Sequence, residues 1–139
     1  MDLKPGELLT DIVIRYEDYA GYSGRYIKYA IRNAMDITIL GCCAAVRLSA
    51  DKTTLSDIRL SFAAAGPLPM RARKTEDALW GRQIGPELPV LIGALAPTQD
   101  VSPIGDKRAS REFRLHLIGE LSKDALTSAI IIAGGEIGA

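Results

Sequence analysis

The sequence is poor in the residues that build metal and nucleophilic sites: it holds one histidine, His116, and two cysteines, Cys42 and Cys43. A protein-built zinc site takes about four ligands from His, Cys or carboxylate, so a structural zinc is not expected. Two adjacent cysteines make no disulfide framework and fit a reducing, cytoplasmic setting. Neither sign of charge is in excess, since 17 Lys plus Arg face 17 Asp plus Glu. That balance speaks against a nucleic-acid partner, which calls for a basic surplus, and against attraction to an acidic membrane surface. Long apolar runs are missing too. The most apolar stretches, residues 37–46 and 125–133, fall short of the roughly 18–20 residues of a membrane-spanning helix. The polar residues 1–7 contain no apolar core of a secretory signal. What is present is 139 residues, 47% of them apolar, enough for one domain with a buried core.

Periodicity sets out the elements. In residues 8–15, Ile12 and Ile14 alternate with Asp11 and Val13, which predicts a short strand. Residues 17–24, rich in Tyr, Gly and Asp without a helical period, read as a connection. Residues 25–32 place Ile27, Tyr29 and Ile31 on one face and Tyr26, Lys28 and Ala30 on the other. In residues 37–49, Leu40, Cys42, Ala44, Val46 and Leu48 share a face, and small residues on both faces suggest a central strand covered on both sides. After a polar turn at 50–53, residues 55–65 alternate Ile58, Leu60 and Phe62 with Asp57, Arg59 and Ser61. Short connections between these runs imply an antiparallel meander. The period then becomes helical. A short helix over 72–80 is followed by Gly81, a second opens at Gly85-Pro86 and ends at Pro97, with Pro89 tolerated in its first turn. The longest starts at the N-cap Ser110 and turns Leu117, Leu121, Ala125 and Ala129 inward. The fold class is α+β: an antiparallel sheet of three to four strands followed by three helices packed on one face.

Motifs of known mechanism are scarce. The sequence contains no G-x-G-x-x-G, no G-x-x-x-x-G-K-[ST] and no G-x-S-x-G. His116, between Leu115 and Leu117, reads as structural. Cys42 and Cys43 are strand neighbours on opposite faces, which disfavours a bond between them and favours buried packing. Two basic clusters stand out, Arg71-Arg73-Lys74 and Lys107-Arg108-Arg111-Arg114. Either could hold a phosphate or an acidic partner, or be a solvated face among Glu76, Asp77, Asp106 and Glu112. The first reads as a solvated face, and the second stays open between these. Lys28, on pattern alone, is a solvent-exposed or edge-guarding strand lysine.

Residues 26–37 (YIKYAIRNAMDI) resemble the segment that opens the C-terminal domain of molybdenum-hydroxylase flavoprotein subunits. Residues 40–45 (LGCCAA), 63–72 (AAAGPLPMRA), 76–81 (EDALWG), Ser102-Pro103 and 108–117 (RASREFRLHL) resemble later segments of that family, in order. Within it the likeness is to the xanthine-dehydrogenase type. The resemblance implies an α+β domain that follows a larger FAD-binding domain and helps cover the flavin. It implies an oxidoreductase whose molybdenum cofactor and iron–sulfur clusters lie on partner subunits and whose FAD passes electrons to NAD. Lys28 matches the lysine that approaches the flavin ring. Its ammonium would favour the anionic reduced flavin, an effect of roughly 1–4 kcal/mol at about 4 Å. No catalytic residue is implied within this chain. Residues 1–22 resemble the last strand of the preceding FAD domain plus a linker, and residues 23–139 the C-terminal domain itself. The FAD pyrophosphate loops belong to the preceding domain, so activity and tight FAD binding are not expected of this chain alone. At Gly66-Pro67-Leu68 the sequence departs from the Pro-Thr pair more usual in the family. The other reading is a stand-alone interaction or dimerisation module that kept the fold without flavin, and a homo-oligomer is compatible with either.

Overall fold

A computed structural model describes residues 3–138, so Met1, Asp2 and Ala139, the outer ends of the two expected segments, lie outside the described residues. Strict alternation builds the sheet. In β2 (Leu40–Leu48) the side chains of Leu40, Cys42, Ala44 and Val46 are buried, and in β3 (Leu55–Ala63) those of Ile58, Leu60 and Phe62. The register sets Cys42 opposite Phe62, Ala44 opposite Leu60 and Val46 opposite Ile58, which puts every one of them on a single face. β1 (Ser23–Tyr29) pairs antiparallel with β2, and the two-residue β4 (Met70–Arg71) pairs with β3, giving the meander order β1-β2-β3-β4.

Three helices cover that apolar face and its surroundings. α4 (Arg111–Ile132) lies on β1 and β2, α2 (Arg73–Leu79) lies on β3, and α3 (Glu87–Gln99) packs against both helices. A further single turn, α1 (Tyr16–Tyr19), occupies part of the region read as a connection. Ser110 caps α4 by accepting the Phe113 N–H at 3.1 Å, and Leu117, Leu121, Ala125 and Ala129 point inward as expected. Ile118, Leu126 and Ile130 widen that stripe.

Four expectations need correcting. Residues 8–15 form no strand, and Leu8, Ile12 and Val13 are 86%, 83% and 78% exposed. Alternation expresses a preference, but a strand needs a neighbour to complete its hydrogen bonds, and none lies beside this segment among the described residues. Ile31 shares the alternation of Ile27 and Tyr29, yet β1 stops at Tyr29 and Ile31 is exposed in the loop beyond it. α3 continues past Pro97 to Gln99. Proline lacks the N–H that would reach Gly93 O, and this carbonyl instead faces Gly119 of α4, where an added Cβ would lie 2.9 Å from it. The two helices approach closely there because residue 119 has no side chain. Last, the helices cover β2 on one face only, and Cys43 and Ala45 on the other are half-buried.

Candidate functional site

The uncovered face of the sheet carries mostly small side chains. By register it presents Tyr26 and Lys28 from β1, Gly41, Cys43 and Ala45 from β2, and Ser61 from β3. Tyr29, one residue beyond Lys28, faces the other way and meets Phe113 of α4 edge-on, with ring centroids 6.0 Å apart. Tyr26 lies over Gly41 so closely that an added Cβ there would come within 2.7 Å of its hydroxyl. The far end of the face is closed by Tyr22, which sits between the guanidiniums of Arg47 and Arg59 at 4.4 and 4.2 Å and donates its hydroxyl to Asp57. Those two arginines also donate to Ala20 O and Asp18 O, at 2.7 and 2.6 Å, and so tie the α1 segment to the sheet.

Lys28 stands at the open end of this face. Its ammonium donates to Asp36 O at 2.9 Å, across the β1–β2 connection. The Asp36 carboxylate in turn accepts the N–H groups of Arg32 and Ile37, at 2.7 and 2.8 Å, and Arg32 donates to Met35 O at 3.0 Å. The Arg32 N–H above all, then the Ile37 N–H and the Arg32 charge, hold the Asp36 carboxyl below the usual aspartate value. Met35 forms the tip, with φ +50° and nearly all of its surface exposed. Beside this turn is an open hollow of about 310 Å³ lined by residues 32–36, the Asp36 anion among them, together with Lys28 and Ala30.

Each basic cluster gives part of itself to the fold, Arg71 in the first and Arg108 and Arg114 in the second, while Arg73 and Lys74 are exposed. Arg71 makes a two-pronged pair with Glu76, at 3.0 and 2.6 Å, consistent with a cluster that faces its own carboxylates. The Asp100 carboxylate caps the start of α2 by accepting the Lys74 and Thr75 N–H groups at 3.0 and 2.9 Å. Of the second cluster, Arg114 is buried, pairs with Asp106 at 2.8 Å and donates to Ala64 O, so its role is structural. Lys107 and Arg111 remain exposed. His116 is exposed on α4, not packed between its leucine neighbours. The cysteines are free and face opposite sides. Burial raises the Cys42 thiol to about 12 and raises that of half-buried Cys43 as well. Sequence reasoning picks out Lys28 and misses Asp36, Tyr22 and Asp100. An aspartate just before a strand is a common turn former, the one signal that bears on Asp36.

Residues 25–129 match the CO dehydrogenase flavoprotein C-terminal domain family. The chain belongs to that family. This flavoprotein domain is 38% identical over 112 residues to a xanthine dehydrogenase FAD-binding subunit of Escherichia coli O157:H7, a match covering 81% of the chain and 37% of the relative. It is 27% identical over 124 residues to the glyceraldehyde dehydrogenase medium chain of Sulfolobus acidocaldarius, covering 89% of the chain and 42% of the relative. A solved carbon monoxide dehydrogenase from Hydrogenophaga pseudoflava superposes with a TM-score of 0.70 at 27% identity, over 79% of this chain and 37% of that one. The flavoprotein domain thus spans about two-fifths of the length of the curated relatives it matches. The expected family and α+β architecture both hold. Among the described residues no helix is long and apolar enough to cross a membrane, and no cluster of three or more His, Cys, Asp or Glu could hold a metal ion.

Proposed function

We propose that this domain is the C-terminal part of the FAD-binding subunit of a xanthine-dehydrogenase-type oxidoreductase, and that its uncovered sheet face stands against the flavin. The observation that carries the reading is the exposed Lys28 ammonium on that face, beside the hollow at the β1–β2 turn. A lysine has three donors, and the Asp36 carbonyl takes one, so others remain for an electron-rich ring edge. Arg32 adds a second cation to the hollow lining. These residues fit one edge of a flavin. At about 310 Å³ and open to solvent, the hollow is too small to enclose a whole dinucleotide, so the rest of the FAD falls to the preceding domain.

When bound, FAD supplies the electron transfer between iron–sulfur clusters and NAD. Lys28 places a positive charge that favours the negative charge a flavin gains on reduction, and Tyr26 packs beside it over Gly41. We assign residues 1–22 to the end of the FAD domain and its linker, and residues 23–139 to the C-terminal domain. In support, the large apolar side chains at 8, 9 and 12–14 are all exposed, a patch that suits burial against another domain. The iron–sulfur and molybdenum subunits complete the assembly as partners, in the cytoplasm, with neither nucleic acid nor membrane involved.

The test is a flavin-fluorescence titration of this chain and of the full-length subunit, each with and without Lys28→Ala. The chain alone should leave flavin fluorescence unchanged, whereas the full subunit should bind FAD, and a spectrophotometric redox titration of that bound flavin should give a potential that falls on Lys28→Ala. Tight FAD binding by the chain alone, weakened by Lys28→Ala, would make it a flavin site in its own right and refute the shared site. A defined oligomer of this chain, together with a full subunit indifferent to Lys28→Ala, would favour the interaction module.

A further inference from the structure

The β1–β2 connection is bonded more closely than a surface loop requires, and its bonds converge on Asp36. Exposed backbone N–H groups can be satisfied by water, yet here the Asp36 carboxylate takes those of Arg32 and Ile37. Its side chain is only 15% exposed and lies 3.8 Å from the Arg32 guanidinium. The same turn holds Met35 at φ +50°, a conformation few side chains adopt without support. Its outcome is that the Asp36 carbonyl meets the Lys28 ammonium from eight residues away in the chain, at 2.9 Å. Lysine otherwise rotates about several bonds and carries a mobile charge.

We propose that Asp36 is a positioning residue for Lys28: by shaping the 32–37 turn through the Arg32 and Ile37 N–H groups, it delivers the carbonyl that fixes where the Lys28 charge stands at the flavin. This rests on the reading that Lys28 faces the flavin. The two ways in which Asp36 could act have opposite signs. As a nearby negative charge it would oppose flavin reduction, so its removal would raise the flavin potential. As the positioner of Lys28 it supports reduction, so its removal lowers the potential.

The experiment uses the full-length, FAD-loaded subunit with Lys28→Met, Asp36→Ala, Asp36→Asn and the Lys28→Met/Asp36→Ala double variant. Two quantities are read: the two-electron flavin potential by spectrophotometric titration, and hydrogen exchange at the Arg32 and Ile37 amides. Lys28→Met is expected to lower the potential. Asp36→Ala should lower it by a smaller amount, add nothing in the double variant, and speed exchange at both amides. Asp36→Asn keeps one carbonyl acceptor, so it should fall between the wild type and Asp36→Ala, and it replaces Asp36→Ala should that variant lose its flavin. If Lys28→Met lowers the potential while Asp36→Ala leaves it unchanged or raises it, the positioning role is wrong and the reading of Lys28 stands. Full additivity in the double variant also overturns it. If no variant lowers the potential, the reading of Lys28 fails and takes this proposal with it.

Discussion

Replacing Glu76 by alanine should destabilise the domain measurably. Glu76 is a nearly buried residue on α2, and it takes over where the sheet runs out. β4 is only two residues long, and the Leu60 carbonyl is already met by the Ala72 N–H at 2.8 Å. The buried Leu60 N–H goes instead to the Glu76 carboxylate, at 2.8 Å. Glu76→Ala orphans that N–H, at about 1–3 kcal/mol. It also strips Arg71 of its partner, but the Arg71 side chain is 36% exposed and keeps much of its hydration, so this adds no more than about 1 kcal/mol. The expected loss is therefore about 1–4 kcal/mol, a fall in Tm of roughly 3–16 °C for a domain of this size. Glu76→Gln retains an amide oxygen for Leu60 and should cost only about 1 kcal/mol, whereas Arg71→Met leaves the buried carboxylate without its cation and should cost more than Glu76→Gln. Thermal and urea denaturation followed by circular dichroism measure all three. If Glu76→Ala costs no more than Glu76→Gln, the Leu60 N–H is not stranded by the loss of the carboxylate, and the reasoning is wrong.

Gly119→Ala would press a methyl group to 2.9 Å from the Gly93 carbonyl; overpacking of about 1–3 kcal/mol should outweigh the gain in helix propensity, which a lowered urea midpoint would show and a raised one would contradict. Asp106 is held below its ordinary 3.8 by the Arg108 N–H first, then the Ala109 N–H and Arg114. A carboxyl lowered by folding stabilises the native state above the unfolded-state value, and this contribution is lost as pH falls through the lower folded value. Asp106→Asn should therefore be less stable than wild type near neutrality, and the gap should narrow below pH 3.8; a gap independent of pH would contradict this. With its thiol raised to about 12 by burial, Cys42 should resist a thiol-disulfide reagent at pH 8 until the domain unfolds, while half-buried Cys43 reacts slowly; equal rates in the native protein would show that Cys42 is not shielded.

The sheet and its helix-covered face are legible in residues 40–63 because a strand's period of two reports its faces directly, and Leu40, Cys42, Ala44 and Leu60 never break step. α4 is legible for a similar reason: Ser110 marks a helix start by its own chemistry, and the leucines and alanines beyond it recur at helical spacing. Lys28 stands out by resemblance over residues 26–37, and the alternation of β1 already sets it opposite Ile27 and Tyr29. Local pattern stops at this point. Pro97 looks like a helix end until Gly119 of another helix is seen to leave room for the carbonyl it frees. Residues 8–15 look like a strand until no neighbour is found beside them among the described residues. Asp36 to Lys28, Glu76 to Leu60 and Asp100 to Thr75 are bonds across 8, 16 and 25 residues. The residues alone determined which side chains prefer burial and which backbone geometry each segment favours. Tertiary structure decided which polar groups met, because a hydrogen bond acts over about 3 Å, and only the completed fold brings groups so distant in sequence within that reach.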